Sequence, residues 1–221
     1  METINLYFDM EFTSLSPDAQ PISLGIISDC GKSIYCEFTD FDINRCDDWV
    51  KENVVGKLRY PVNNGCLGII YDGNRTNIHA ETRYIRDILF EWLKQFSSYN
   101  IQFICDCGTF DWYHLLKLIG EWEEVRTNET YDRESDGKVC DYYRKTGLPK
   151  LPSNISPVPQ DLNDLIAFKR GISVREAFDF NRALLITVWD SFDKGLLSQN
   201  NHNSLYDAKV IKAIYENLML Q

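Results

Sequence analysis

With 221 residues, 44% of them hydrophobic and 25% charged, the chain has the composition of a soluble globular protein with room for one sizeable core rather than two. Its net charge of −10, from 23 basic and 33 acidic side chains, argues against binding nucleic acid or anionic membranes through bulk charge, so any such contact must be local. The seven cysteines are scattered with no C-x-x-C pair, which disfavours a zinc ribbon or redox motif and fits a reducing, cytoplasmic setting. The first residues lack a basic region followed by a long apolar one, and apolar runs such as 183–189 are too short to span a bilayer.

Three strands are predicted first, at about 3–12, 21–28 and 33–38, joined by Ser16-Pro17-Asp18-Ala19-Gln20-Pro21 and by Asp29-Cys30-Gly31-Lys32. Such short connections predict an antiparallel meander. In the first strand Ile4, Leu6, Phe8, Met10 and Phe12 alternate with Thr3, Asn5, Tyr7, Asp9 and Glu11. That is the period of a strand buried on one face, and it sets Asp9 and Glu11 side by side on the other. Two carboxylates so placed repel each other, and a divalent cation is the best candidate to compensate them.

Residues 40–78 read as an irregular excursion with a short helix near Asp47–Asn53 and a Gly/Asn-rich stretch. Tyr84, Ile85, Ile88, Leu89, Trp92, Leu93 and Phe96 then mark an amphipathic helix over about 80–96. A short apolar strand follows at Gln102–Cys107, where Cys105 and Cys107 read as small core or site-lining residues rather than ligands. A helix starts near Asp111 and stops at Gly120. Residues 121–160 form a second irregular excursion, with prolines at 149, 152, 157 and 159. Helices at about 161–170 and 174–190, a polar loop and a final helix at about 204–219 complete the chain. The pattern predicts one α/β domain over 1–221, a mixed sheet in which an antiparallel meander is followed by parallel strands, flanked by helices.

Five residues stand out: Asp9, Glu11, Asp111, His202 and Asp207. Several have ordinary structural explanations. An acid opening a helix, as Asp111 does, is favoured by the helix dipole and by capping. Ser204 and Asp207 are spaced as a capping box. His202, in an Asn-rich loop, could be a solvated surface histidine, and His79 and His114 carry no signal. Five residues along a helix are about 140° apart, so His202 and Asp207 cannot both face one site from the same helix. His202 is therefore expected in the loop and Asp207 in the first helical turn.

The series Asp9-Met10-Glu11, then Phe110-Asp111 with Leu115, then His202 through Asp207-Ala208 resembles the three motifs of the DEDDh 3′–5′ exonuclease superfamily, with Ser204 where the third motif has alanine. That superfamily includes RNase T, oligoribonuclease and polymerase proofreading subunits. The stretch 21–42 looks most like the small exoribonuclease AS branch. The resemblance covers roughly 1–40, 80–120 and 200–218 and implies an RNase H-like fold. It further implies a magnesium- or manganese-dependent 3′–5′ exoribonuclease that uses two divalent cations, releases nucleoside 5′-monophosphates and acts on single-stranded RNA or an RNA 3′ overhang. By the same resemblance Asp9 would bridge both cations, Glu11 and Asp207 complete one site, Asp111 hold the second, and His202 deprotonate the attacking water. Two ions about 3.5–4 Å apart can stabilise both the attacking and the leaving oxygen, and hard oxygen ligands suit Mg²⁺ or Mn²⁺. Met10, Thr13, Leu15 and Phe110 are the candidates for contacting the terminal nucleotide. Arg144, Lys145, Lys150, Lys169 and Arg170 could border a phosphate track or simply be solvated. A DNA exonuclease and a catalytically silent interaction module remain as alternatives, as does a homodimer.

Overall fold

A computed structural model of the chain describes residues 1–60, 67–121, 149–180, 185 and 202–220, together with the backbone of 124–126 and 143–145. The strands are β1 (Thr3–Phe12), β2 (Pro21–Ser28), β3 (Ser33–Phe38), β4 (Gly68–Asp72), β5 (Arg75–Ala80), β6 (Asn100–Cys105), β7 (Glu124–Arg126), β8 (Tyr143–Lys145) and β9 (Gln160–Asp161). The α-helices are α1 (Asp48–Asn53), α2 (Thr82–Lys94), α3 (Asp111–Ile119), α4 (Leu162–Arg170), α5 (Val174–Phe178) and α6 (Ser204–Met219).

Seven strands form one mixed sheet in the order β4-β5-β3-β2-β1-β6-β9, and β7 and β8 pair separately. The predicted meander is present, with β1–β2 and β2–β3 antiparallel. β6 then joins β1 in parallel, β9 joins β6 in parallel, and β5 joins β3 in parallel. This mixed sheet flanked by helices is compatible with an RNase H-like architecture.

β1 lies inside the sheet, and helices cover both of its faces. Its even-numbered residues pack with Ile85, Leu89, Phe103, Trp112 and Leu115 in the larger core beneath α2 and α3. The odd-numbered face, expected to be the polar one, is not open to solvent. Tyr7 is 1% exposed and belongs to a second core with Ile104, Leu162, Ile166, Ile211 and Ile214, under α4 and α6. Alternation reports polarity and not coverage. Here a tyrosine whose hydroxyl donates to Asp29 at 2.8 Å satisfies its polar tip at the sheet edge while burying its ring.

The stretch 40–78 carries α1, where a short helix was expected near Asp47–Asn53, and in place of an irregular remainder the hairpin β4–β5, which extends the sheet beyond β3. Its strand residues Arg75, Asn77 and His79 are polar, so an apolar-run criterion passes over them. The strand expected at 102–107 runs from Asn100 to Cys105, leaving Cys107 beyond its end. α5 covers the beginning of the helix expected at 174–190, and most of the remainder lies outside the described residues.

α6 is seated on the sheet by a close backbone approach. An added Cβ on Gly25 would fall 2.2 Å from the backbone nitrogen of Leu205 and 2.3 Å from its Cα. Beside it, the Ser204 hydroxyl donates to the Ser23 hydroxyl at 3.0 Å in a buried contact. These two contacts fix the height of the first turn of α6 over β1 and β2.

Candidate active site

The site forms where the second half of β1, the turn after β6 and the N-terminus of α6 converge. β1 pairs with β6 only over Thr3–Tyr7, so Asp9 and Glu11 project past the end of that ladder. The turn after β6 is held from α4. Asp161, which caps α4 by accepting from the Asn163 amide at 2.8 Å, also accepts from the Gly108 amide at 2.9 Å. The Asn163 side chain donates to the carbonyl of Asp106. This arrangement aims Asp106 and Asp111 at β1.

Asn203 caps α6, its side chain accepting from the Tyr206 amide at 3.2 Å. Ser204 is already helical and bonds to Ser23, so the Ser204–Asp207 capping box expected as an alternative does not form. Asp207, in the first turn, faces the cleft instead. One ligand oxygen each from Asp9, Glu11 and Asp207 lie within 4.8 Å of one another. Asp111 stands at the first position of α3 and makes no cap; a backbone hydrogen bond from Met10 partly offsets its burial. It lines the same cleft, close enough to Asp9 for their charges to repel.

Burial is the first cause that pushes the Asp9 carboxyl well above the usual range, followed by repulsion from Asp111, Asp207 and Glu11. Asp111 is raised by burial and then by Glu11. Asp207 is pushed up to about 7, by burial first and Glu11 second, with His202 and Lys57 opposing. Mutually repelling, half-desolvated carboxylate oxygens are a hard-oxygen donor set for which a divalent cation supplies the missing positive charge. The residues present therefore fit such an ion.

His202 precedes α6 with φ of 66°, in the left-handed region, as the loop placement requires. Its Nδ1 lies 3.7 Å from Oε1 of Glu11, and the hydrogen bond to Glu11 raises the imidazole pKa. The Trp49 ring meets the imidazole edge-on at a centroid distance of 4.8 Å.

These side chains line a cleft of about 1080 Å³. Met10 and Phe110 line it, and Leu15 stands at its margin, 79% exposed and thus no core residue. Thr13 does not line the cleft: it is buried, its hydroxyl accepting from the Gln20 amide at 3.1 Å. Sequence reasoning missed Asp106, Trp49, Val50 and Phe178, all cleft-lining. Only Asp106 carried a signal, as an acid directly after an apolar strand. Cys107 lines the cleft and Cys105 is buried, both in keeping with the small-residue reading.

No family model matches the chain. Two Mycobacterium tuberculosis proteins, from strain CDC 1551 / Oshkosh and strain ATCC 25618 / H37Rv, are each named 3′-5′ exoribonuclease. Each is 24% identical to this chain over 190 residues, spanning 86% of this chain and 96% of its own length. The similarity therefore runs through almost the whole of those proteins. Among the described residues, no helix is long and apolar enough to cross a membrane.

Proposed function

We propose that the protein is a metal-dependent 3′–5′ exoribonuclease of the DEDDh type, releasing nucleoside 5′-monophosphates. The observation that carries this reading is the convergence of Asp9, Glu11 and Asp207, from segments almost two hundred residues apart, with their oxygens within 4.8 Å and His202 beside them. The two similar proteins named 3′-5′ exoribonuclease support it independently. Asp9, Glu11 and Asp207 would hold one divalent cation, Mg²⁺ or Mn²⁺, and Asp9 with Asp111 a second. When bound, such ions supply charge stabilisation for the attacking and leaving oxygens of an in-line displacement.

The chain's own groups do the rest. The carboxylates must shed the protons that burial and repulsion favour, which makes ion binding proton-releasing. His202 accepts the proton of the attacking water. The hydrogen bond to Glu11 and then the charges of Glu11 and Asp207 raise the imidazole pKa, and cations held by those carboxylates would offset that effect. Trp49 meets the ring edge-on beside the carboxylates. Met10, Phe110 and Leu15 offer apolar surface for the terminal base, a contact that tolerates any sequence.

The test uses 3′- and 5′-labelled single-stranded RNA and DNA in Mg²⁺, Mn²⁺ or EDTA, beside Asp207→Asn. Mononucleotides should leave the 3′ end of RNA only with metal, and the variant should be slower by at least about a hundredfold. Uncut substrates under every condition would refute the enzymatic reading, and activity surviving EDTA would refute the role of the ions. Faster cutting of DNA than RNA would favour the DNA exonuclease.

A further inference from the structure

The sheet face that carries Asp9 and Glu11 continues past α6 onto β3 and β5. Cross-strand register sets Asp9, Gly25, Tyr35 and Asn77 in one row, and Tyr7, Ile27, Ser33 and Arg75 in the next. Three strand spacings of about 4.8 Å separate Asp9 from Asn77, roughly 14 Å. On this outer part of the face stand three cations from three different segments.

Arg59 donates to Oδ1 of Asn77 at 3.3 Å, and Arg75 donates to the same oxygen at 3.0 Å. One neutral acceptor thus gathers two guanidinium groups that would otherwise repel. Arg59 also lies over the Tyr35 ring, 5.3 Å from its centroid. Lys209 reaches the group from α6, where Arg75 and Arg59 are the charges it feels, and no acid partners it among the described residues. Two acids are near. Glu37 is buried and occupied by the Tyr35 hydroxyl and by the amides of Arg59 and Tyr60, at 2.8, 2.7 and 3.1 Å. Asp72 stands at the edge, on the turn into β5.

The group connects to the acidic cluster. The Tyr35 hydroxyl accepts from the Asn203 side chain at 3.3 Å, next to His202. Lys57, two residues before Arg59, lies close enough to His202 and Asp207 for their charges to interact. Cations held together against their own repulsion need an anion, as the carboxylates need a cation. On a chain of net charge −10 this shelf is a local exception to a surface that repels polyanions. Beside it Tyr60 stacks on His79 at 4.9 Å, offering ring surface at the same place.

We propose that Arg59, Arg75 and Lys209 form a phosphate-binding shelf that carries the part of an RNA strand a few nucleotides upstream of the end being cut. The inference rests on the exoribonuclease reading for its direction along the strand and not for the anion site itself. The strand passes over the N-terminus of α6, with its 3′ end among the carboxylates and its upstream phosphates on the guanidinium groups. Of the basic residues singled out from sequence, Lys150, Lys169 and Arg170 are exposed and belong to other parts of the surface, and the side chains of Arg144 and Lys145 lie outside the described residues.

The test measures binding of a labelled RNA dodecamer and dinucleotide to the full chain in Ca²⁺ over a salt series, for wild type, Lys209→Arg and the double variant Arg75→Gln/Lys209→Gln. The double variant should bind the dodecamer at least ten times more weakly and lose most of the affinity gained from dinucleotide to dodecamer. Its log–log salt slope should shrink by about 1.4, at about 0.7 per lost phosphate contact on a single strand. Lys209→Arg should bind as wild type does, and thermal melting of both variants should show an intact fold. Unchanged affinity and slope would overturn the shelf, as would binding of polyglutamate in place of RNA through the same residues. Metal-dependent cleavage by wild type with an unchanged slope in the double variant sinks the shelf alone. RNA binding that needs these residues, in a protein that cuts nothing, keeps the shelf and sinks the nuclease.

Discussion

His202 joins two facts that a static list would keep apart: it is the proposed base, and it is a non-glycine residue at φ of 66°. A left-handed conformation costs an L-residue about 1–2 kcal/mol, and such strain persists only where the surroundings hold it. The imidazole is held by Trp49 on one side and Glu11 on the other. His202→Ala and His202→Gly both remove the base, and cleavage should fall at least about a hundredfold in each. Denaturant unfolding should separate them, with the glycine variant about 1 kcal/mol more stable because it alone adopts that φ freely. Equal stabilities would mean that the backbone leaves the left-handed region once the imidazole is gone.

Among the elements, α6 decides whether the site exists. Its first turn delivers Asp207, and its height over the sheet is set by Gly25 and the Ser23–Ser204 contact. Gly25→Ala places a methyl carbon against backbone atoms that cannot rotate away, so α6 must lift. Overpacking of this kind costs about 1–3 kcal/mol, and a site built to close tolerances suffers more than the fold does. Thermal melting should show a folded but destabilised protein, while metal-dependent cleavage should fall at least about tenfold. A variant that melts lower yet keeps full activity would show that the height of α6 is not what positions Asp207.

The elements also show what could be read in advance. β1, α3 and α6 were legible because their apolar periodicities are strong, and the acid each carries matches a motif of the exonuclease resemblance. Asp207 was ambiguous in sequence because Ser204 sits three residues before it, and only the Ser204–Ser23 bond removes the capping explanation. The β4–β5 hairpin and Trp49 were not legible. Arg75, Asn77 and His79 give one face of β5 a polar character although Asn77 and His79 are buried, and Trp49 comes from a helix of six residues, too short for a period. The gathering of Arg59, Arg75 and Lys209 depends on tertiary contacts that no local spacing encodes.

For the whole molecule, the cluster links stability to pH and, on the proposed reading, to metal. Asp207 titrates near 7 when folded and near 4 when unfolded, so between those values the native state holds a proton that the unfolded chain has released. Its stabilising contribution is complete below about pH 4, shrinks as pH rises to about 7 and is absent above. His114, buried and pushed down to about 4, runs the opposite way, losing stability as pH falls below its ordinary range. The comparison with Asp207→Asn cancels that second effect. Without metal, the melting temperature of the variant minus that of wild type should grow from pH 5 to about 7 and then level off. Added Mg²⁺ or Mn²⁺ should raise the wild-type value more at pH 8 than at pH 5.5, since protons compete for the same oxygens, and should leave the variant nearly unmoved. A metal shift that is independent of pH, or retained in Asp207→Asn, would place the ion elsewhere.

Asp9 and Glu11 are synthesised nearly two hundred residues before Asp207 and the helix that carries it. During synthesis, then, the chain passes through a long period in which β1, β6 and α3 can be in place while the carboxylate set lacks its third member and the base beside it. On the exoribonuclease reading, a chain whose last described helix has not yet docked lacks Asp207 and His202 and does not cut RNA. The docking of one late helix onto Gly25 is the event that completes the site.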